Sequence, residues 1–277
     1  MAWYVSIPMH DLERLTDQVE LTSFEDMYVA AADVANAAVR SERLGNVLVA
    51  VLGCSQSAVY NRALGFELEH AASPEQIREA LATLERLGAT RAFVHLPAYA
   101  RPELSSWFEE QGLTRFSRSW MRFVRGDEPA REVHTELVIR EARPEDAAAV
   151  DFVVRTAFEL AAPATGFFAS LVGRPRWHTF VAAQGDEVVG AAGLFVQDDV
   201  GHVAFGAVLP KSRRRGGQSA LLSARIERGR ELGCRVLFSE TGEAVPGSPQ
   251  QSYPNLLRAG FRELYLRPNY LWTRQSP

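Results

Sequence analysis

The stretch over 202–222, HVAFGAVLPKSRRRGGQSALL, holds the residue types best suited to chemistry. It reads as a buried strand, a short basic loop and the first turns of a helix. A helix start leaves four backbone N–H groups without partners and carries the positive end of the peptide dipoles, so an anion is stabilised there before any side chain contributes. Lys211, Arg213, Arg214 and Arg215 add formal positive charge, and Gly216 and Gly217 lack the Cβ atoms that would keep a phosphate from the backbone. The combination predicts a phosphate cradle, against the alternative of a solvated basic turn ahead of an ordinary helix. It is neither a P-loop, which needs Gly-x-x-x-x-Gly-Lys-Ser/Thr, nor the Gly-x-Gly-x-x-Gly of dinucleotide folds.

Elements on both sides must hold that loop. Upstream, 137–139 reads as an edge strand, Arg143-Pro144-Glu145-Asp146 as the start of a helix running AAAVDFVVRTAFEL, and 179–183, 187–196 and 202–209 as three strands. The spacers Gln184-Gly185-Asp186 and Asp198-Asp199 are hairpin turns, which makes the three an antiparallel meander. Downstream come a helix over 216–232 with Leu222, Ile226 and Gly229 on one face, a strand over 234–238, a helix ending over 255–259, and two closing strands within 261–272. The first half predicts a helix over 24–43 capped by Ser23, a strand over 46–52, a short helix over 55–64, and a helix opened by Ser73-Pro74-Glu75-Gln76. A strand over 92–96, a helix over 103–111 and a strand pair within 113–124 complete it, with Trp107, Phe116 and Trp120 as core. Between the halves, 127–136 gains charge and loses hydrophobicity, as a linker does.

Composition narrows the class. A chain of 277 residues is about twice a typical domain. It is 47% hydrophobic with net charge −4, which argues against nucleic-acid or anionic-membrane binding and makes the arginine cluster a local feature. No apolar run reaches the ~18 residues of a membrane span, and the N-terminus lacks a basic, apolar leader, so the expected location is cytoplasmic. Cys54 and Cys234 read as small buried hydrophobes.

The loop resembles the pyrophosphate-binding motif of the GNAT acyl-CoA N-acyltransferase superfamily, Gln/Arg-x-x-Gly-x-Gly/Ala. Arg213-Arg214-Arg215-Gly216-Gly217-Gln218 matches its first and fourth places, and Gln218 departs from the small residue of the sixth. The flanking strand, the helix beginning Ser219-Ala220-Leu221-Leu222, and the phrase IREARPEDAAAV are similar to the family as well, over about 137–273. The resemblance implies that coenzyme A is the ligand, that acetyl-CoA is the co-substrate with no metal, and that the main chain of Phe205, Gly206, Ala207 and Val208 pairs with the pantetheine arm. Asn255, with Ser252, matches a pantetheine contact, against helix capping as the alternative. For the base the family places a glutamate three residues before the strand's phenylalanine; His202 stands there, and Glu240 is the second candidate. The family's thiolate acid, a tyrosine four residues before a Gly-Phe pair, is replaced by Leu256, which leaves Tyr253 as the substitute.

The chain also repeats itself. Glu85-Arg86-Leu87-Gly88 and Gln111-Gly112-Leu113 echo Arg230-Glu231-Leu232-Gly233 and Ala259-Gly260-Phe261, with Gly88 and Gly233 145 residues apart and Gly112 and Gly260 148 apart. The expected fold is α/β (α+β): two tandem GNAT-like domains, each a mixed, mostly antiparallel sheet flanked by helices. The first, over 1–126, is degenerate, because Ser73-Pro74-Glu75 puts a proline and a carboxylate where a phosphate would approach. The second, over 137–277, binds acetyl-CoA. The expected activity is acetyl transfer to a primary amine by direct attack, on a small molecule, protein or peptide, with Asp198, Asp199 and Glu187 as candidate attractors of a cationic amine. The rivals are a non-catalytic acyl-CoA sensor or assembly protein, and an interaction scaffold.

Overall fold

A computed structural model of the chain describes residues 7–33, 39–53, 55, 57–160, 164–247 and 251–274. The first helix, Met9–Ala32 (α1), leads into Val39–Leu44 (β1) and Val47–Leu52 (β2), a hairpin closed by a two-residue turn with Gly45 at φ +62°. β2 is apolar and buried at every position, as a strand covered on both faces must be. It pairs antiparallel with Arg62–Leu64 (β3), which runs parallel to Arg91–His95 (β4). Pro74–Arg86 (α2) starts as its sequence predicts, with the Ser73 hydroxyl accepting from the Gln76 N–H at 3.2 Å. Pro102–Glu110 (α3), Thr114–Arg115 (β5) and Trp120–Arg125 (β6) follow.

The second half opens on Val138–Glu141 (β7) and Ala147–Ala157 (α4), then the antiparallel meander Trp177–Gln184 (β8), Glu187–Gln197 (β9) and Val200–Val208 (β10). Gly217–Glu231 (α5), Val236–Gly242 (β11), Ser252–Arg258 (α6), Arg262–Arg267 (β12) and Asn269–Thr273 (β13) complete the chain. Two mostly antiparallel sheets flanked by helices result. The six-stranded sheet has the order β1-β2-β3-β4-β13-β5, and the seven-stranded sheet β12-β6-β11-β10-β9-β8-β7.

The halves exchange strands. β6, from before the linker, lies between β11 and β12, and β13, from the end of the chain, lies between β4 and β5. The closing strand pair expected over 261–272 therefore divides between the two sheets.

Two further expectations are corrected. The helix expected over 24–43 begins fifteen residues earlier at Met9 and ends at Ala32, and its expected last residues, 39–43, are in strand β1. Ser23 is no cap: it is buried in mid-helix, in a stripe with Leu12, Thr16, Val19, Glu20 and Met27. The helix expected over 55–64 is a single 3₁₀ turn, Ala58–Tyr60, before β3. Asn61 accounts for that, since its side chain accepts from the Leu52 N–H at 2.8 Å and donates to the Arg91 carbonyl at 2.9 Å, tying an extended backbone between two strands. Cys234 is a free, buried thiol, pushed up to about 11 chiefly by burial, while Cys54 lies outside the described residues. No described helix is long and apolar enough to cross a membrane.

Candidate active site

β10 and β11 are paired, in parallel, only where Val200–His202 face Val236–Phe238. Beyond that point they separate, with the Ser239 hydroxyl donating to the Val203 carbonyl at 2.7 Å in the fork. On its other side β10 slips register against β9 between Val203 and Gly206. A cavity of about 190 Å³ fills the fork, lined by Val203, Ala204, Phe205 and Gly206 on one arm and Ser239, Glu240 and Thr241 on the other. It adjoins a groove of about 760 Å³ that runs between the loop before α5 and the helix α6. Gly206, Gln218, Ser252 and Asn255 line both, while Ala207, Val208 and Ser219 line the groove.

At the groove's far end α5 starts without a side-chain cap. Gly216, at φ +78°, is its N-cap, and the first intrahelical bond runs from the Ala220 N–H to the Gly216 carbonyl at 2.9 Å. Arg214 is also left-handed, at φ +63°, a backbone conformation that occurs in anion-binding nests. Arg213 and Arg214 line the groove and make no ion pair among the described residues. Lys211 and Arg215 are committed elsewhere, to Glu187 at 2.5 Å and to Gln184 and Glu136 at 2.5 and 3.2 Å. Two of the four expected cations thus face the groove. Gly216 and Gly217 line the groove, and packing gives the pair a further reason. A Cβ at 216 would stand 3.0 Å from the His134 carbonyl and one at 217 2.8 Å from Leu137 Cδ1, so the glycines admit the linker and β7 against the loop. The uncapped N-terminus and two unpaired guanidiniums fit a phosphate-bearing ligand.

The three expected catalytic residues fare differently. His202 is 3% exposed, stacked on Phe238 with ring centroids 4.6 Å apart, and absent from the cavity wall. Its Nδ1 lies 2.7 Å from the Ser23 hydroxyl, which itself donates to the Glu20 carbonyl, so Nδ1 carries the proton and the hydroxyl accepts. Burial holds its pKa down at about 3. His202 is a neutral packing residue out of an amine's reach. Tyr253 is also turned away: its hydroxyl donates to the Glu263 carboxylate, its ring packs on Phe123, and burial and Glu263 push it up to about 12. Asn255 stays on the wall and accepts from Arg258 at 2.5 Å. Asp199 and Glu187, expected to attract a cation, already pair with Arg235 and Lys211.

Glu240 is the one that lines the cavity. Its carboxylate accepts from Arg267 at 2.5 Å and stands 3.6 Å from Arg122. Those two guanidiniums also serve Glu20 and Asp17 of α1, with Arg122 2.5 Å from Glu20 and 3.2 Å from Asp17, and the Tyr265 hydroxyl donates to Asp17. Three carboxylates, two of them buried and Glu240 half-buried on the cavity wall, share two guanidiniums. Glu20, held by both, is kept well below the usual carboxylate range despite its burial, while Asp17 is raised by burial. Burial raises Glu240 to about 7, against the pull of Arg267 and Arg122 and with help from the charge on Glu20. A carboxyl half-ionised at neutral pH on a cavity wall is suited to proton transfer.

Residues 144–248 match the family model of the Acetyltransferase (GNAT) family. The chain carries a GNAT acetyltransferase domain. Among solved structures, a GCN5-related N-acetyltransferase from Kribbella flavida is 17% identical with TM-score 0.59, over 91% of this chain and 96% of that one. A GCN5-related N-acetyltransferase from Sphaerobacter thermophilus is 16% identical with TM-score 0.60, over 82% and 76%. A tandem GNAT protein from the clavulanic acid biosynthesis pathway is 15% identical with TM-score 0.58, over 98% of both chains. At these identities the likeness is one of fold, and the fold is that of tandem GNAT proteins. No curated protein matches the chain.

In the first half β3 and β4 likewise run parallel, with α2 between them in the chain. The hollow at the start of α2, about 510 Å³, is lined by Glu69, Glu75 and Glu79, and its helix start is capped by Ser73. Sequence reasoning singled out the loop, the strand over Phe205–Val208 and Glu240, but missed Glu20, Arg122 and Arg267, whose charges act on Glu240, and Asp17, which shares Arg122 with Glu20. It also missed Arg225, whose buried guanidinium lines the cavity.

Proposed function

We propose that the GNAT domain binds acetyl-CoA and transfers its acetyl group to a primary amine by direct attack, with Glu240 as the general base. The observation that carries this reading is the place of Glu240, in the fork of two separating strands beside an uncapped, arginine-flanked helix start. Arg213, Arg214 and the first amides of α5 would hold the pyrophosphate, and the free edge of β10 at Gly206, Ala207 and Val208 would take the pantetheine amides. Acetyl-CoA supplies the acyl group already activated as a thioester. The amine nitrogen bonds to the acyl carbon as the C–S bond breaks with its electron pair left on sulfur. Glu240 takes the amine's proton, and the thiolate takes one from water. Base catalysis of this kind is worth about 10²- to 10⁴-fold. The acceptor is a small-molecule or peptide amine.

A second reading, a non-catalytic acyl-CoA sensor, is favoured by one observation: Tyr253 is turned away and Leu256 fills the wall, so no side-chain acid faces the leaving thiolate. Calorimetric titration with acetyl-CoA, beside Gly216→Glu, tests the first step. One site per chain that the variant abolishes supports the GNAT domain as the binding one; two sites would overturn the degenerate first domain, and none would overturn the enzyme. Thiol release with a panel of amines then separates the two readings, since a sensor binds without turnover.

A further inference from the structure

Among the described residues, Arg225 and Glu240 are the charged side chains that line the cavity, and Arg225 has no part in the mechanism above. It projects from α5, is 3% exposed and lines the cavity. No carboxylate among the described residues lies within ion-pair distance of it. Its partners are backbone carbonyls only: Nε donates to Leu221 at 3.0 Å, and Nη1 to Phe205 at 3.2 Å and to Gly193 and Ala204 at 3.4 Å. Nη2 has no hydrogen-bond partner among the described residues. Burial alone lowers its pKa, to about 9, so the group remains a cation at neutral pH. A buried charge without a counter-charge is costly, and an anion entering the cavity would offset that cost.

The surroundings give that anion a shape. A Cβ on Gly206 would stand 3.0 Å from Arg225 Nη2 and 3.2 Å from Gln218 Nε2, so two N–H donors converge over one glycine. Gln218 occupies the place where the loop motif has a small residue, and its amide is held by the Gly206 carbonyl at 3.3 Å. Two donors over a small space, one of them charged, match the two oxygens of a carboxylate. We propose that Arg225 and Gln218 form a carboxylate-binding subsite for the substrate, and that the acyl chain supplies the carboxylate. The geometry favours the acyl chain because Arg225 is on the cofactor's side: it stands eight residues along α5 from the phosphate end, about 12 Å of helix. The preferred donor is then a short dicarboxylic acyl-CoA. This rests on the reading of the GNAT domain as the acyl-CoA site. A carboxylate on the amine acceptor is the other source of the same chemistry.

The test is calorimetric titration of the full chain with succinyl-CoA and butyryl-CoA, which share a four-carbon chain and differ in the terminal carboxylate. A hydrogen-bonded charge pair predicts a preference for succinyl-CoA of about ten- to hundredfold. Arg225→Met should bring the ratio to about one and Arg225→Lys should keep part of it; taking the ratio within each protein corrects for any general loss of fold. In the second arm, thiol release is compared for amino acids and their decarboxylated amines. A preference there, with none between the thioesters, would support the subsite and move its carboxylate to the acceptor. Binding of acetyl-CoA with no carboxylate preference in either arm would overturn the subsite and leave the acyltransferase reading standing. So would an equal loss of rate on every donor in Arg225→Met, which would mark a group acting on the thioester carbonyl. Failure of every thioester to bind would overturn both.

Discussion

Replacing Glu240 by glutamine tests the chemistry most directly, because the raised carboxyl gives the effect a pH dependence of known sign. With the carboxyl held at about 7, half of the molecules carry the ionised base at pH 7, roughly a tenth at pH 6 and nine-tenths at pH 8. The kcat/KM for thiol release should rise about tenfold per pH unit below 7 and level off above 8, and Glu240→Gln should lower the plateau by about 10²- to 10⁴-fold. Stability carries a second signature. Glu240 titrates near 4.5 in the unfolded chain and near 7 in the folded one, so between those values the folded state holds the extra proton. Stability falls as pH rises through that window, and the glutamine variant escapes the fall, a difference of roughly 3 kcal/mol. Melting curves of both proteins at pH 4.5 and pH 8 measure it, since the other titrating groups are common to both. A flat rate profile from pH 6 to 8, or a variant within a few-fold of the parent, would refute Glu240 as the base.

Three other perturbations separate the site from its supports. His202→Leu removes the bond to Ser23 and should lower the melting temperature, while the midpoint of the rate profile stays near 7; a shifted midpoint would return His202 to the chemistry. Arg122→Met leaves Asp17 without a guanidinium and Glu20 with Arg267 alone, and should cost about 3–5 kcal/mol of stability in denaturant unfolding. Arg213→Ala with Arg214→Ala should weaken CoA binding by about ten- to a few hundredfold, with an effect that shrinks as salt is added. The same double change should leave the melting temperature within about a degree, as both side chains are exposed and unpaired.

What was legible in the sequence follows the physics of each element. The meander β8–β10, the cap of α2, the basic loop and the start of α5 were readable because each depends on neighbouring residues: alternation, turn chemistry, a Ser-Pro pair, glycine beside arginine. The first half of α1 was hidden because its buried stripe carries Thr16, Asp17, Glu20 and Ser23 among Leu12, Val19 and Met27, and carboxylates on a buried face read as solvent exposure. They are buried only because Arg122 and Arg267, more than a hundred residues away, meet them. Glu240 was found by its place on a strand end, but its elevated pKa is a property of that distant network. His202 and Tyr253 held promising places in the motif, and packing against Phe238 and Phe123 turned both away from the cavity.

The strand exchange has a consequence for how the protein is made. β13 is the last described strand, yet it sits inside the first sheet, between β4 and β5. As the chain leaves the ribosome, the first half can assemble β1 to β4 but must wait with β4 and β5 apart until residue 273 emerges. β6, ready early, meanwhile lacks both of its partners, β11 and β12. Domains usually fold in turn as they are synthesised; here neither sheet can close until the strands of the second half, β13 among them, have been made. Cleavage within 127–136 would for the same reason leave two fragments each holding a strand of the other's sheet, joined until one of them unfolds.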